Sequence, residues 1–159
     1  MPKHSEKRVV PYSPTQMYDL VADVNRYSEF LPWCLGSRIR RQDAKMIDAD
    51  LIIGFKIYRE KFGSRVELDR DTRTIRTAYL DGPFKYLKNQ WVFHPDEQGC
   101  MVDFYVDFEF KSKTLSRVIE PLFNEAVKRM VRAFESRAKD LYGGQRMPSE
   151  QIIHETSRS

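Results

Sequence analysis

The sequence predicts an α+β fold: a bent antiparallel sheet of about seven strands wrapped around one long C-terminal helix, with two short helices after the first strand. A helical apolar stripe between Ser112 and Tyr142, two-residue alternation through much of the chain before it, and a capping pattern at Ser13 carry that prediction.

Glu6 to Tyr12 reads as a short strand carrying Val9 and Val10. Ser13-Pro14-Thr15-Gln16 then puts serine at a cap, proline at the first helical position and glutamine at the third, the pattern of a capping box. Met17, Leu20, Val21 and Val24 form one apolar face of the helix it starts. Arg26 to Leu31 predicts a further turn or two, stopped by Pro32, which disfavours helix in the residue before it.

Strands follow. Ser37 to Ala44 is basic around Ile39. Ile47, Ala49, Leu51, Ile53, Phe55 and Ile57 alternate with Asp48, Asp50 and Lys56, the signature of a half-buried strand. The aspartates therefore share a face, and that face reads as solvated. Glu60 to Asp71 carries Phe62, Val66 and Leu68 on one face, and Thr72 to Leu80 is rich in β-formers. Asp81-Gly82-Pro83 marks a turn before Tyr86 to His94, where Leu87, Asn89, Trp91 and Phe93 share a face. A second turn at Pro95 to Gly99 leads to strict alternation of Val102, Phe104, Val106, Phe108 and Phe110 with polar residues and Tyr105. Strands joined by tight turns imply an antiparallel meander.

The final stripe runs through Leu115, Val118, Ile119, Leu122, Phe123, Ala126, Val127, Met130, Val131, Phe134, Ala138 and Leu141. Its spacing is helical, and a continuous helix here would reach roughly 45 Å. Pro121 predicts a kink or a fresh start, because proline lacks an N–H and clashes with the preceding turn. Gly143-Gly144 ends the pattern. Residues 1–143 are expected to form one domain, and 144–159 a polar, disordered tail.

Composition removes several function classes. The net charge of +4 permits contact with RNA or anionic lipid and demands neither. Cys34 and Cys100 form no CxxC pair and have no histidine nearby, so no metal site is expected. His4, His94 and His154 fall in a strand start, a turn and the tail. No GxSxG elbow, HExxH motif or glycine-rich phosphate loop occurs, so no catalytic residues are assigned and the chain reads as a non-enzyme. The N-terminus lacks an apolar presequence core and no run approaches a membrane span, which predicts a soluble, cytoplasmic protein or an already trimmed organellar one. Aromatics make up 13% of the residues, and the inward positions are large. That composition fits a solid aromatic core as well as a pocket for an apolar ligand.

Particular residues then point to a family. Tyr18-Asp19-Leu20-Val21-Ala22-Asp23-Val24-Asn25-Arg26-Tyr27 continues into Ser28-Glu29-Phe30-Leu31-Pro32-Trp33-Cys34. Asp81-Gly82-Pro83-Phe84-Lys85-Tyr86-Leu87 precedes Trp91-Val92-Phe93, and Pro121-Leu122-Phe123 leads to Met130-Val131 and Ala133-Phe134. Over residues 5 to 142 the chain resembles the coenzyme Q-binding START-like proteins and their bacterial relatives, which include a ribosome-association toxin and sit within a polyketide cyclase/dehydrase-like superfamily.

The resemblance implies a helix-grip (START/Bet v 1-like) fold and a hydrophobic tunnel for ubiquinone or a related polyprenyl lipid, in support of respiratory electron transfer. It implies no catalytic motif and no catalytic cofactor. It places Tyr27, Phe30, Leu31, Pro32, Trp33 and Cys34 at a structural corner and tunnel rim. Strand and helix period add Phe55, Asn89, Trp91, Phe93, Phe104 and Phe108 from the sheet, with Ile119, Phe123, Val127, Met130 and Phe134 from the helix. Arg26, Arg38 and Lys85 are expected to meet lipid headgroups at the inner face of a membrane. Two alternatives remain open: a ribosome-binding protein that blocks subunit association, its basic residues on rRNA, and a small-molecule cyclase or dehydratase.

Overall fold

The computed structural model describes residues 3–55 and 58–143, the side chain of Phe55 excepted. The polar tail expected at 144–159 lies outside the described residues. Strand β1 (Lys3–Val10) leads to helix α1 (Pro14–Ala22) and a 3₁₀ segment (Val24–Glu29). Strands β2 (Cys34–Gln42), β3 (Met46–Phe55), β4 (Tyr58–Asp69), β5 (Thr74–Asp81), β6 (Phe84–Asp96) and β7 (Gly99–Phe110) follow. Helix α2 (Lys113–Ile119), a 3₁₀ turn (Glu120–Leu122) and helix α3 (Phe123–Tyr142) complete the described chain.

The seven strands form one antiparallel sheet in the order β1-β7-β6-β5-β4-β3-β2. Register shifts at Cys34/Gly36, Ile39/Arg41, Gly63/Ser64 and Phe84/Tyr86 each bend the strand that carries them. The predicted capping box is present: the Ser13 hydroxyl accepts from the Gln16 N–H at 3.0 Å, and the Gln16 side chain accepts from the Ser13 N–H at 3.0 Å. Tight turns need glycine where the backbone enters the left-handed region. At Gly99 (φ +141°) an added Cβ would stand 2.5 Å from the Val10 carbonyl oxygen.

Two boundaries differ from the sequence expectation. The first strand begins at Lys3, because its alternate backbone groups pair with β7 from Lys3↔Asp107 onward. Strand β3 is described as far as Phe55, which pairs with Tyr58, and the expected alternating positions at Lys56 and Ile57 lie outside the described residues. His94 lies within β6, opposite Met101, rather than in a turn. The long stripe is interrupted at Pro121 as expected: a 3₁₀ turn there separates α2 from α3. Helix α3 alone spans about 30 Å. Its buried residues Phe123, Val127, Val131, Phe134 and Ala138 form the apolar stripe.

The outer face of β3 also departs from expectation. Asp48 and Asp50 are only 7% and 8% exposed. Guanidinium groups from neighbouring strands cover them. Arg65 on β4 grips Asp48 through Nε (2.8 Å) and Nη2 (3.0 Å). Arg40 on β2 bonds Asp50 and reaches Asp81 at 3.4 Å. The first-named arginine in each case holds its aspartate below the usual carboxylate range through those hydrogen bonds, against the opposing effect of burial.

Candidate functional site

Between the concave face of the sheet and the C-terminal helices lies a cavity of about 270 Å³. Strand alternation aims Tyr58, Glu60, Phe62, Ser64 and Val66 of β4 at it, while Arg59, Lys61 and Arg65 take the outer face. The same rule brings in Thr77 of β5, Leu87, Asn89 and Trp91 of β6, and Phe104, Val106, Phe108 and Phe110 of β7. Leu115, Ile119, Phe123, Ala126, Val127, Met130 and Phe134 close the helical side. Several inward residues, among them Thr77, Asn89, Val106, Phe108 and Met130, are only half-buried.

The walls are mostly aromatic. Phe108 meets Phe123 edge-on at 5.2 Å, and Phe134 meets Trp91 at 5.1 Å. At one end the 3₁₀ corner is pinned to α3: Phe134 packs edge-on against Tyr27 (5.6 Å) and Phe30 (5.2 Å). The Tyr27 hydroxyl donates to the Val21 carbonyl, and burial holds that phenol above its ordinary range. Arg137 lies over the Phe30 ring at 5.2 Å and bonds Glu29 at 2.7 Å.

The floor carries a small polar cluster. The Thr77 hydroxyl donates to Asn89 Oδ1 at 3.1 Å, and Asn89 Nδ2 donates to the Tyr105 carbonyl at 2.9 Å. This fixes the amide and leaves its second N–H and a hydroxyl lone pair on Thr77 for a guest. Ser64 is fully buried, with its hydroxyl 3.4 Å from the Ala49 carbonyl. A volume of about 270 Å³ equals that of roughly nine liquid waters at about 30 Å³ each, far more than these few polar groups can satisfy. The physical fit is to an apolar guest with a modest polar group.

Of the sequence-predicted liners, Tyr27, Leu31, Trp33, Asn89, Trp91, Phe104, Phe108, Ile119, Phe123, Val127, Met130 and Phe134 border the cavity. Two do not. Phe30 is turned onto Phe134 and under Arg137. Phe93 faces inward but is 1% exposed, beyond the cavity's end, where Tyr18 of α1 packs edge-on against it at 6.1 Å. Phe55 falls outside the described side chains. Pro32 is exposed, and Cys34 is a buried thiol whose pKa burial raises. Glu60, Ser64 and Thr77 are liners that the apolar pattern omits; the signal for the first two was their place in the two-residue register with Phe62 and Val66 on β4, and Thr77 of β5 is the cross-strand partner of Val66.

The three predicted contact cations do not form one patch. Arg26 pairs with Asp23 (3.2 Å) and Glu29 (3.5 Å), and Lys85 with Glu109 (3.4 Å). Lys85 belongs to β6, four strands from Arg38 on β2, or roughly 19 Å at the usual strand spacing. Arg38 instead shares the outer face with Arg59 and Lys61. All three are exposed and make no ion pair among the described residues. Leu35 and Ile52, 47% and 41% exposed, lie at the same end of the sheet. Among the described residues no helix is long and apolar enough to cross a membrane.

Comparison with known proteins adds the following. The family model described as "Polyketide cyclase / dehydrase and lipid transport" matches residues 10–135. The chain is 36% identical over 137 residues to the ribosome association toxin RatA of Rickettsia prowazekii, covering 84% of this chain and 94% of that protein. It is 38% identical over 151 residues to the mitochondrial coenzyme Q-binding protein COQ10 homolog B of Xenopus laevis, covering 92% of this chain but 62% of that longer protein. Among solved structures, an 18 kDa protein from Caulobacter crescentus is 39% identical, with a TM-score of 0.73 over 90% of this chain and 99% of that one. The Zhui aromatase/cyclase from Streptomyces sp. R1128 shares the fold, with a TM-score of 0.78 over 92% of this chain and 99% of that one, at 13% identity.

Proposed function

Because the chain belongs to the polyketide cyclase/dehydrase and lipid transport family, whose members include both binders and enzymes, we propose that it is a non-enzymatic carrier of a neutral polyprenyl lipid, of which ubiquinone is the favoured candidate. The observation that carries this reading is the aromatic-walled cavity with the Thr77–Asn89 pair on its floor. A quinone carbonyl accepts the spare Asn89 N–H, and the prenyl chain takes the apolar space. Each buried CH₂ is worth about 0.8 kcal/mol, so a five-carbon prenyl unit left in water costs on the order of 4 kcal/mol. A protein that encloses the chain removes that cost during transit between membranes or enzymes. The polar floor groups are bonded to one another and to backbone, an arrangement suited to holding a ligand rather than to moving protons. The likeness to the coenzyme Q-binding homologue favours this ligand, and the exposed Leu35 and Ile52 beside Arg38 suit peripheral contact with an anionic membrane face.

The test is mass spectrometry of an organic extract from natively purified protein. The reading expects a polyprenyl quinone at near-stoichiometric amount, lost in Phe123→Arg, which puts a cation on the cavity wall. An extract that stays lipid-free, even after incubation with quinone-loaded liposomes, refutes it.

A second reading is ribosome binding. It draws on the likeness to the ribosome association toxins and on the exposed Arg38, Arg59 and Lys61. It expects co-sedimentation with ribosomal subunits that weakens steeply with salt, and loses force if charge reversal at these three positions leaves sedimentation unchanged.

A further inference from the structure

Among the described residues that border the cavity, Glu60 is the one side chain with a carboxyl group, and no lysine, arginine or histidine borders it. Glu60 lies on β4 between Tyr58 and Phe62, opposite Ile53, near the end of the sheet where β3 turns into β4. It is half-exposed and makes no hydrogen bond or ion pair among the described residues. Its sequence neighbours Arg59 and Lys61 cannot neutralise it from within the cavity, since alternation puts them on the outer face. Among the described residues the Glu60 carboxyl group therefore has no cationic partner, and the cavity's other polar side chains, which include Ser64, Thr77, Asn89, Tyr27 and Tyr58, bring no positive charge.

We propose that Glu60 is a charge filter that admits uncharged lipids and turns away fatty acids and other anionic amphiphiles. The inference rests on the lipid-carrier reading and adds the ligand class to it. An anionic amphiphile that enters tail first leaves its carboxylate near Glu60, where low-dielectric walls strengthen the like-charge repulsion. One that enters head first brings its charge to a floor with no cation to pair it. A neutral headgroup meets neither penalty, and a protonated amine gains a partner in Glu60. The filter matters because free fatty acids share the apolar chain of the intended ligand, so the apolar walls alone do not discriminate against them.

Displacement of a neutral fluorescent probe, N-phenyl-1-naphthylamine, from the full chain by dodecanol, dodecanoate and dodecylamine tests this at low ionic strength. The wild-type protein is expected to bind dodecanoate at least roughly tenfold more weakly than dodecanol, and dodecylamine at least as well as dodecanol. In Glu60→Gln, the affinity gap between dodecanol and dodecanoate is expected to shrink, and dodecylamine to lose affinity relative to dodecanol. Equal wild-type affinity for dodecanoate and dodecanol overturns the filter while leaving the carrier reading intact. So does a gap that Glu60→Gln leaves unchanged. A probe that fails to bind, with none of the three competitors detectable by calorimetry, overturns the carrier reading itself and the filter with it.

Discussion

Phe134→Ala probes the joint between the cavity wall and the corner that caps it. Phe134 is 4% exposed and makes three aromatic contacts, with Tyr27, Phe30 and Trp91. Truncating a buried phenylalanine costs about 3–5 kcal/mol in lost burial and residual cavity. Each aromatic pair contributes about 0.5–1.5 kcal/mol beyond area, which argues for the upper part of that range. One flank of the ring already borders empty space, so fewer contacts are lost on that side, which argues against exceeding it. The expected loss is therefore about 4 kcal/mol. With a urea dependence of about 2 kcal/mol/M, the unfolding midpoint moves down by roughly 2 M. Tyr27→Phe, which deletes the hydroxyl bonded to Val21, is expected to cost about 1 kcal/mol alone. The double variant should then cost less than the sum, because without Phe134 the corner is already loosened. A Phe134→Ala loss below about 1.5 kcal/mol, or strict additivity with Tyr27→Phe, would refute the claim that this contact holds the corner on α3.

Two further predictions concern the frame around the site. Asp48 and Asp50 have folded-state pKa values below those of the unfolded chain, so the unfolded state binds protons more readily and acid favours unfolding. Their contribution is complete above about pH 4, the ordinary carboxylate value, and disappears as pH falls through the depressed native values. Asp48→Asn should cost roughly 1–2 kcal/mol at pH 7, allowing for the exposure of Arg65, and flatten the acid limb of a stability-against-pH profile measured by urea titration. Gly99→Ala forces a side chain onto φ +141° and into the Val10 and Tyr12 backbone, so a loss of about 3 kcal/mol and a melting temperature lower by about 6–12 °C are expected. Gly36→Ala, where the added carbon would meet only Ile52 Cδ1 at 3.7 Å, should move it far less.

What could be read from the sequence was whatever depended on near neighbours along the chain. The Ser13–Gln16 cap, the alternation of β7 and the interruption at Pro121 are all local, and all appear where their residue types require. The limits of the candidate site were harder to see because they are set across strands. Phe93 obeys the inward period of Trp91, yet α1 fills the space in front of it with Tyr18. Phe30 belongs to a recognisable corner, but only the α3 partners Phe134 and Arg137 determine which way its ring turns. Asp48 and Asp50 alternate like solvent-facing residues, and nothing adjacent to them announces that Arg40 and Arg65, from the strands on either side, close over them. Glu60 escaped notice for a related reason: a charged residue in a strand reads as outward until the register with Phe62 is followed through the hairpin.

The place of α3 in the chain has a consequence for synthesis. The helix that covers the concave face of the sheet follows all seven strands, and β1 must wait for β7 to find its partner. At about 5–20 residues per second, a ribosome delivers the aromatic floor of Trp91, Phe104 and Phe108 seconds before residues 123–142 arrive to cover it. During that interval the nascent protein presents a bare apolar trough, with few local contacts to fold ahead of time. A chain stopped before Phe123 would therefore leave Trp91, Phe104 and Phe108 without the helix that covers them, the kind of exposed apolar face that promotes aggregation.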